Sequence, residues 1–248
     1  MSATYESENL LRQYLVFHFA EPRDQFPFEL SGRDALGFPR RCAVEGVNYE
    51  TLGQTARALD VGCSVGRASF ELARNFDEVV GIDYSQTFVD AANELAQAGT
   101  MRVQRLDEGD RSTEITIEID PEINRKRVTF EKGDACDLRP DLGSFDLVIA
   151  CNLICRLPKP RRFINRLPSL VRPGGQLFLT TPFSWLEAYT DRADWLAEEG
   201  TASFEALKEA LSAHFELERE WDMPFLIREH GRKFQYGVPK ASRWTRRR

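Results

Sequence analysis

Histidine is scarce in this chain, with three residues at 18, 214 and 230, and the five cysteines contain no C-x-x-C pair. Neither type recurs at the short fixed spacings that zinc ligands require, so no metal site is expected. An odd number of cysteines (42, 63, 136, 151 and 155) also argues against a disulfide framework. Three of them sit in or beside apolar, strand-like runs, which suits buried or site-lining thiols. No apolar run approaches the ~20 residues of a spanning helix. The segment Met1 to Glu8 carries acids where a leader peptide carries positive charge, and no apolar stretch follows it. A cytoplasmic protein without a membrane partner is the expectation. A formal net charge of −6 gives no general attraction for a phosphate backbone. Arg243, Arg246, Arg247 and Arg248 close the chain as a local basic exception, read as a solvated, frayed terminus rather than a nucleic-acid arm.

At 248 residues, 42% hydrophobic and 29% charged, the chain has the composition of a globular protein with a full core. From Glu8 to Phe19, Leu10, Leu11, Tyr14, Leu15 and Phe17 or His18 fall at helical spacing, and a Pro- and Phe-rich loop follows to Phe38-Pro39. Short apolar strands are then predicted at Ala56–Val61, Glu78–Asp83, Val128–Lys132, Phe145–Ala150 and Gln176–Thr181, most of them separated by helical segments. That alternation predicts a parallel sheet buried between helices. Residues 104–127 break it: a charged stretch carrying the alternating run Thr113 to Ile119 reads as an exposed strand or hairpin inserted before the third strand. A helix over Ser203–Ala213 leads into two late strands, Phe215–Trp221 and Lys233–Val238, expected to complete the sheet as an antiparallel pair. The expected layout is one domain over 1–248: a helical extension (1–50), a core (51–182) and a C-terminal, substrate-side portion (183–248).

The most informative stretch is Ala58-Leu59-Asp60-Val61-Gly62-Cys63-Ser64-Val65-Gly66-Arg67, a buried strand running into a glycine turn that opens a helix. A dinucleotide fingerprint starting at Gly62 needs Gly or Ala at positions 64 and 67, where this chain has Ser64 and Arg67. What remains is Asp60-x-Gly62-x-x-x-Gly66. Missing side chains at Gly62 and Gly66 let a cofactor approach the backbone, and Asp60 suits a cationic amino group. The second strand ends at Asp83-Tyr84, 23 residues beyond Asp60, about where an acid accepts from ribose hydroxyls in nucleotide-binding βαβ units. The third runs into Gly133-Asp134-Ala135, where an acid and the following amide can pair with an adenine edge. The fourth ends at Cys151-Asn152, which places Asn152 beside the reacting group.

Together these motifs resemble the class I S-adenosyl-L-methionine (AdoMet) methyltransferases over about residues 50–182, the Arg172-Pro173-Gly174-Gly175 turn included. The resemblance implies an α/β, Rossmann-like, seven-stranded, mostly parallel sheet with helices on both faces. It also implies AdoMet as cofactor, S-adenosyl-L-homocysteine (AdoHcy) as product, and a cofactor site built from Asp60, Gly62, Cys63, Ser64, Gly66, Asp83, Tyr84, Asp134, Ala135 and Asn152. Such chemistry asks the protein mainly for alignment, since the sulfonium methyl is already activated.

The flanks, Tyr14 to Phe19, Phe38 to Cys42, Cys151 to Pro158, Thr181 to Glu187 and Asp222 to Tyr236, resemble the ovothiol-biosynthesis methyltransferases in their stand-alone form. That family methylates the imidazole nitrogen of 5-thiohistidine (4-mercaptohistidine) to give ovothiol A. It implies a small-molecule substrate and functional pairing with a separate sulfoxide synthase. A zwitterionic amino acid needs a cation, an anion and a ring wall, which Arg228, Glu229, Lys233, Tyr236 and Arg41 supply on paper. Tyr14 and Trp185 are the expected aromatic walls, Asn152 faces the acceptor as well as the cofactor, and His230 is the expected proton acceptor. Methylation of another small metabolite and non-catalytic AdoMet sensing are the alternatives. A nucleic-acid substrate is disfavoured, because Ala150-Cys151-Asn152-Leu153 is not the Asp/Asn-Pro-Pro-Tyr/Phe motif and no basic groove is evident.

Overall fold

Alternating apolar strands and amphipathic helices fold into a three-layer arrangement, seen in a computed structural model that describes residues 6–53 and 55–248. Residues 1–5, part of the segment read above for the lack of a leader, lie outside the described residues. The chain begins with α1 (Glu8–Phe19), a short α2 (Pro22–Gln25) and α3 (Phe38–Val44). The core then runs β1 (Arg57–Val61), α4 (Arg67–Leu72), β2 (Glu78–Asp83) and α5 (Gln86–Ala98). A hairpin of β3 (Thr100–Glu108) and β4 (Arg111–Glu118) follows, then β5 (Val128–Lys132), β6 (Phe145–Cys151), α6 (Pro160–Leu170) and β7 (Val171–Thr181). The chain closes with α7 (Ser203–Ser212), β8 (Phe215–Asp222), β9 (Phe225–His230), β10 (Lys233–Gly237) and β11 (Lys240–Arg246).

The main sheet has seven strands in the order β5-β2-β1-β6-β7-β11-β8. Its first five are parallel, and β11 pairs antiparallel with both β7 and β8. Ala58, Leu59, Leu147, Val148 and Ile149 are fully buried, because helices cover both faces. Local chemistry sets the helix ends. Ser7 Oγ accepts from Leu10 N at the start of α1 and Ser85 Oγ accepts from Phe88 N at the start of α5, while α5 stops on left-handed Gly99.

Three expectations need correction. The strand that completes the sheet beside Phe215–Asp222 is Lys240–Arg246, not Lys233–Val238; the latter pairs instead with β9 in a separate two-stranded hairpin. The arginine-rich end is therefore no frayed tail. Trp244 is 2% exposed, Arg243 Nε donates to Glu218 at 3.0 Å, and Arg246 Nη1 donates to the His214 carbonyl. Ala241 packs into the core on one face of the sheet and Trp244 into the core on the other, a strand buried on both faces that its four neighbouring arginines disguise in the sequence. Finally, Arg172 to Gly175 is an irregularity within β7 rather than a turn ahead of it: Phe145 pairs Val171 and Leu147 pairs Gln176, with Gly174 left-handed between them. The charged insertion does form a hairpin, starting at Thr100, four residues before the expected boundary.

The N-terminal helix α1 lies across β3 and β9, and its apolar face joins Val103, Ile117, Phe225 and Ile227 in one core with α3, α4 and α5. Extension, inserted hairpin and late hairpin thus form a single cap on one side of the sheet. That cap closes over the carboxyl ends of β1, β2, β5 and β6, where an open α/β sheet takes its ligand.

Candidate functional site

The β1 turn is held by backbone bonds from Gly62 N and Cys63 N to the Ile82 carbonyl, at 2.7 and 3.1 Å. Gly62 and Ser64 both take left-handed backbone, φ 76° and 51°. A non-glycine residue there is uncommon, and such strain gathers at ligand sites. The Ser64 hydroxyl is buried with no hydrogen-bond partner among the described residues. Asp83, at the end of β2, accepts from Ser64 N at 2.8 Å and from Ser85 N at 2.9 Å, so one carboxylate fixes two turns. From β5, Gly133 N donates to the Asp83 carbonyl at 2.9 Å. From β6, Asn152 (φ 55°) is fixed by Thr180, whose Oγ1 accepts from Asn152 N and donates to Asn152 Oδ1, both at 3.0 Å.

These strand ends border one cleft, whose walls enclose about 1090 Å³ with its open mouth included. Asp60, Gly62, Cys63, Ser64, Asp83, Tyr84, Ala135 and Asn152 line it, as does Tyr14 from the cap. Two expected cofactor residues do not. Gly66 serves packing: a Cβ there would come within 2.4 Å of the Phe130 ring, and its φ is 88°. Asp134 caps the turn, accepting from Cys136 N at 2.8 Å, and so presents its neighbours Gly133 and Ala135 to the cleft.

Burial without counter-ions dominates the electrostatics. Asp60 is 2% exposed, and desolvation pushes its carboxyl up to about 7 against a 2.6 Å hydrogen bond donated by Ser69 Oγ. Asp83 is raised by the same cause. A positively charged ligand group beside Asp60 would favour its ionised form. The Cys151 thiol is raised well above its ordinary range by the adjoining Cys42 thiol and by burial, so Cys151 is not a thiolate nucleophile. No three-residue cluster of His, Cys, Asp or Glu suited to a metal occurs among the described residues.

Most of the expected acceptor residues lie outside this cleft. Strand β9 alternates, so Ile227 lines the cleft while Arg228 turns away and donates to Asp107 Oδ1 at 3.1 Å and to the Leu106 carbonyl. Glu229 pairs with Lys233 at 2.6 Å. His230 Nδ1 accepts from Arg232 N within its own turn, and Tyr236 is 51% exposed. Arg41 is spent on Glu45 and on the carbonyls of Asp34 and Pro224. Trp185 stacks on Trp195 and donates to Ser203 Oγ. Five of the seven belong to the charged stretch Asp222 to Tyr236, where Glu229 and Lys233 satisfy each other, whereas the partner of Arg228, Asp107, lies 121 residues away and beyond any local pattern.

The cap instead supplies Phe17, His18, Phe38, Pro39 and Cys42 to the cleft wall, with Arg156 and Leu157 from the loop after β6. His18 occupied a core-facing position in the helical periodicity of α1, and a histidine at such a position was the available signal. It is 8% exposed, and its Nδ1 is buried without a hydrogen-bond partner among the described residues. Burial, followed by the charge of Arg67, pushes the imidazole down to about 3.

Comparison with known proteins fits this architecture. A methyltransferase-domain family matches residues 59–177. Ubiquinone biosynthesis O-methyltransferases are similar: that of Coxiella burnetii is 29% identical over 131 residues, 53% of this chain and 45% of the relative. That of Xanthomonas euvesicatoria is 31% identical over 143 residues, 58% and 49% of the two chains. The chain therefore spans about half the length of these relatives. Among solved structures, magnesium protoporphyrin IX methyltransferase from Synechocystis PCC 6803 with bound SAH superposes with a TM-score of 0.60 at 17% identity, covering 98% of this chain and 96% of that one. The [4+2]-cyclase SpnF gives 0.56 at 21% identity, covering 89% and 74%. The fold is that of the Rossmann-like class I AdoMet-dependent methyltransferases.

Proposed function

We propose that the cleft holds AdoMet and that this chain transfers the cofactor's sulfonium methyl to a small-molecule acceptor, releasing AdoHcy. The observation that carries this reading is the convergence of four strand ends on one cleft lined by the Ser64 hydroxyl and by two buried carboxyls, Asp60 and Asp83, with no cation among the described residues beside Asp60. In this reading Asp60 holds the methionyl ammonium and Asp83 the ribose hydroxyls. Gly133 and Ala135 wall the adenine, and Asn152, fixed by Thr180, lies beside the methyl. Bound AdoMet supplies an activated methyl group. The protein's own residues exclude water and align the acceptor, which is where positioning gives rate.

The acceptor favoured by the flank resemblance is the imidazole nitrogen of 5-thiohistidine, giving ovothiol A, with a separate sulfoxide synthase as the source of the thiohistidine. In such a transfer the N–C bond would form as the C–S bond breaks with its electron pair left on sulfur, and the methylated ring would lose its proton to solvent on leaving the cleft. Because Arg228, Glu229, Lys233 and Arg41 are engaged elsewhere, this reading rests on the cap's aromatic wall rather than on those charges. A second reading, O-methylation of a small molecule, is favoured by the names of the relatives, ubiquinone biosynthesis O-methyltransferases. Incubation with methyl-labelled AdoMet and either 5-thiohistidine or 3,4-dihydroxybenzoate separates the two. Label on the imidazole nitrogen supports the first, label on the phenolic oxygen replaces it with the second, and an absence of labelled product from both acceptors sinks both.

A further inference from the structure

Among the described residues, His18 is the one histidine in the cleft wall. Its ring packs between Tyr14, tilted at 6.0 Å, and Phe17, edge-on at 5.3 Å, and Phe17 stacks on Phe38 across the cap at 6.3 Å. An apolar side chain would fill this place without leaving a buried nitrogen unpaired, and buried polar atoms left so are rare and costly. His18 borders the cleft, so a ligand seated there is one source of a partner. Nor does the ring become a cation there, since burial and Arg67 keep it neutral over the physiological range. A neutral imidazole can stand beside a sulfonium without repelling it, and it can accept a hydrogen bond.

We infer that His18 positions the acceptor: its neutral ring accepts a hydrogen bond from an N–H or O–H of a flat, aromatic or heteroaromatic acceptor held against Tyr14, Phe17 and Phe38. This rests on the methyltransferase reading above. It places a positioning hydrogen-bond acceptor on α1, a different role from the proton acceptor expected of His230, whose Nδ1 is committed to its own turn. A site built around such a bond rejects ring analogues that lack the donor, because the buried nitrogen is then left unpaired.

The test uses His18→Phe, which keeps the ring packing, and His18→Gln, which keeps a hydrogen-bond acceptor. AdoHcy binding is followed by calorimetry, and kcat/KM is measured for 5-thiohistidine and for 3,4-dihydroxybenzoate. In His18→Phe, AdoHcy affinity is expected to stay within about twofold, while kcat/KM for the accepted substrate falls about 10- to 100-fold, mainly through KM; His18→Gln recovers part of it. With three histidines in the chain, ring-nitrogen NMR adds an independent readout. The His18 nitrogens should stay neutral from about pH 5 to pH 9 and shift when acceptor is added to the AdoHcy complex. An unchanged kcat/KM in His18→Phe, loss of AdoHcy binding in that variant, or a His18 ring that titrates near pH 6.5 would each overturn the inference while leaving the methyltransferase reading intact. Failure of the wild type to bind AdoHcy or to methylate either acceptor would overturn that reading itself, and the role of His18 with it.

Discussion

The carboxylate of Asp83 holds the backbone of Ser64: its Oδ2 accepts from Ser64 N at 2.8 Å, while Oδ1 accepts from Ser85 N at 2.9 Å. One side chain at the end of β2 therefore sets the left-handed turn after β1 and the first turn of α5.

Asp83→Ala removes that brace and leaves both amides to find other partners. We expect a loss of about 2 kcal/mol or more in stability, from two backbone donors that lose their acceptor, and at least about a tenfold loss of AdoHcy affinity. Thermal unfolding with and without AdoHcy reads both effects. A variant that keeps the full AdoHcy-induced rise in melting temperature would show that Asp83 serves the fold alone.

Asp60 predicts a pH dependence with a definite sign. Its carboxyl in the folded protein is raised to about 7 by desolvation, above its value in the unfolded chain. The folded state thus holds a proton that the unfolded state has released between about pH 4 and pH 7, and this group's contribution to stability falls as pH rises through that window. A cofactor ammonium favours the ionised carboxylate, so AdoMet binding expels the proton below pH 7. The dissociation constant should rise about tenfold from pH 8 to pH 6, and Asp60→Asn should flatten that profile. A wild-type profile already flat over this range contradicts the ammonium role.

Asp107 gathers Arg228, Arg105 and Thr113, and so ties the inserted hairpin to β9. Arg228 is 6% exposed, so Asp107→Ala leaves a buried guanidinium without its carboxylate and should cost about 3 kcal/mol. At a temperature where the variant stays folded, KM for the acceptor should be unchanged. A selective rise in that KM, with stability intact, would return Arg228 to the acceptor site.

Removal of residues 240–248 takes out β11, which sits between β7 and β8. Both neighbours lose their ladder partner and Trp244 leaves the core, so no cooperative unfolding transition should remain in circular dichroism. If the shortened chain melts cooperatively near the wild-type temperature, the arginine-rich end is dispensable after all.

Those arginines show where the sequence misled. Strands β1, β2, β5 and β6 were legible because strands buried on both faces are continuous apolar runs, and the Asp60 to Arg67 turn was legible because its glycine spacing is constrained by close backbone approach. Strand β11 was not. It pairs through its backbone while Arg243 and Arg246 reach Glu218 and the His214 carbonyl, contacts that no local pattern encodes. The charges of Asp222 to Tyr236 misled in the opposite direction. They suggested a binding surface, but Arg228 and Lys233 are satisfied by Asp107 and Glu229. His18 was hidden by its own periodicity, since a histidine at an apolar helical position is usually packing, and only the absence of a partner for Nδ1 sets it apart.

Calorimetric titration of the wild-type chain with AdoHcy, and separately with NAD, tests the central claim most directly. We expect one molecule of AdoHcy bound per chain and no heat from NAD. Binding of NAD, or no binding of AdoHcy, would contradict the assignment of the Asp60, Asp83 and Asn152 strand ends to an AdoMet site.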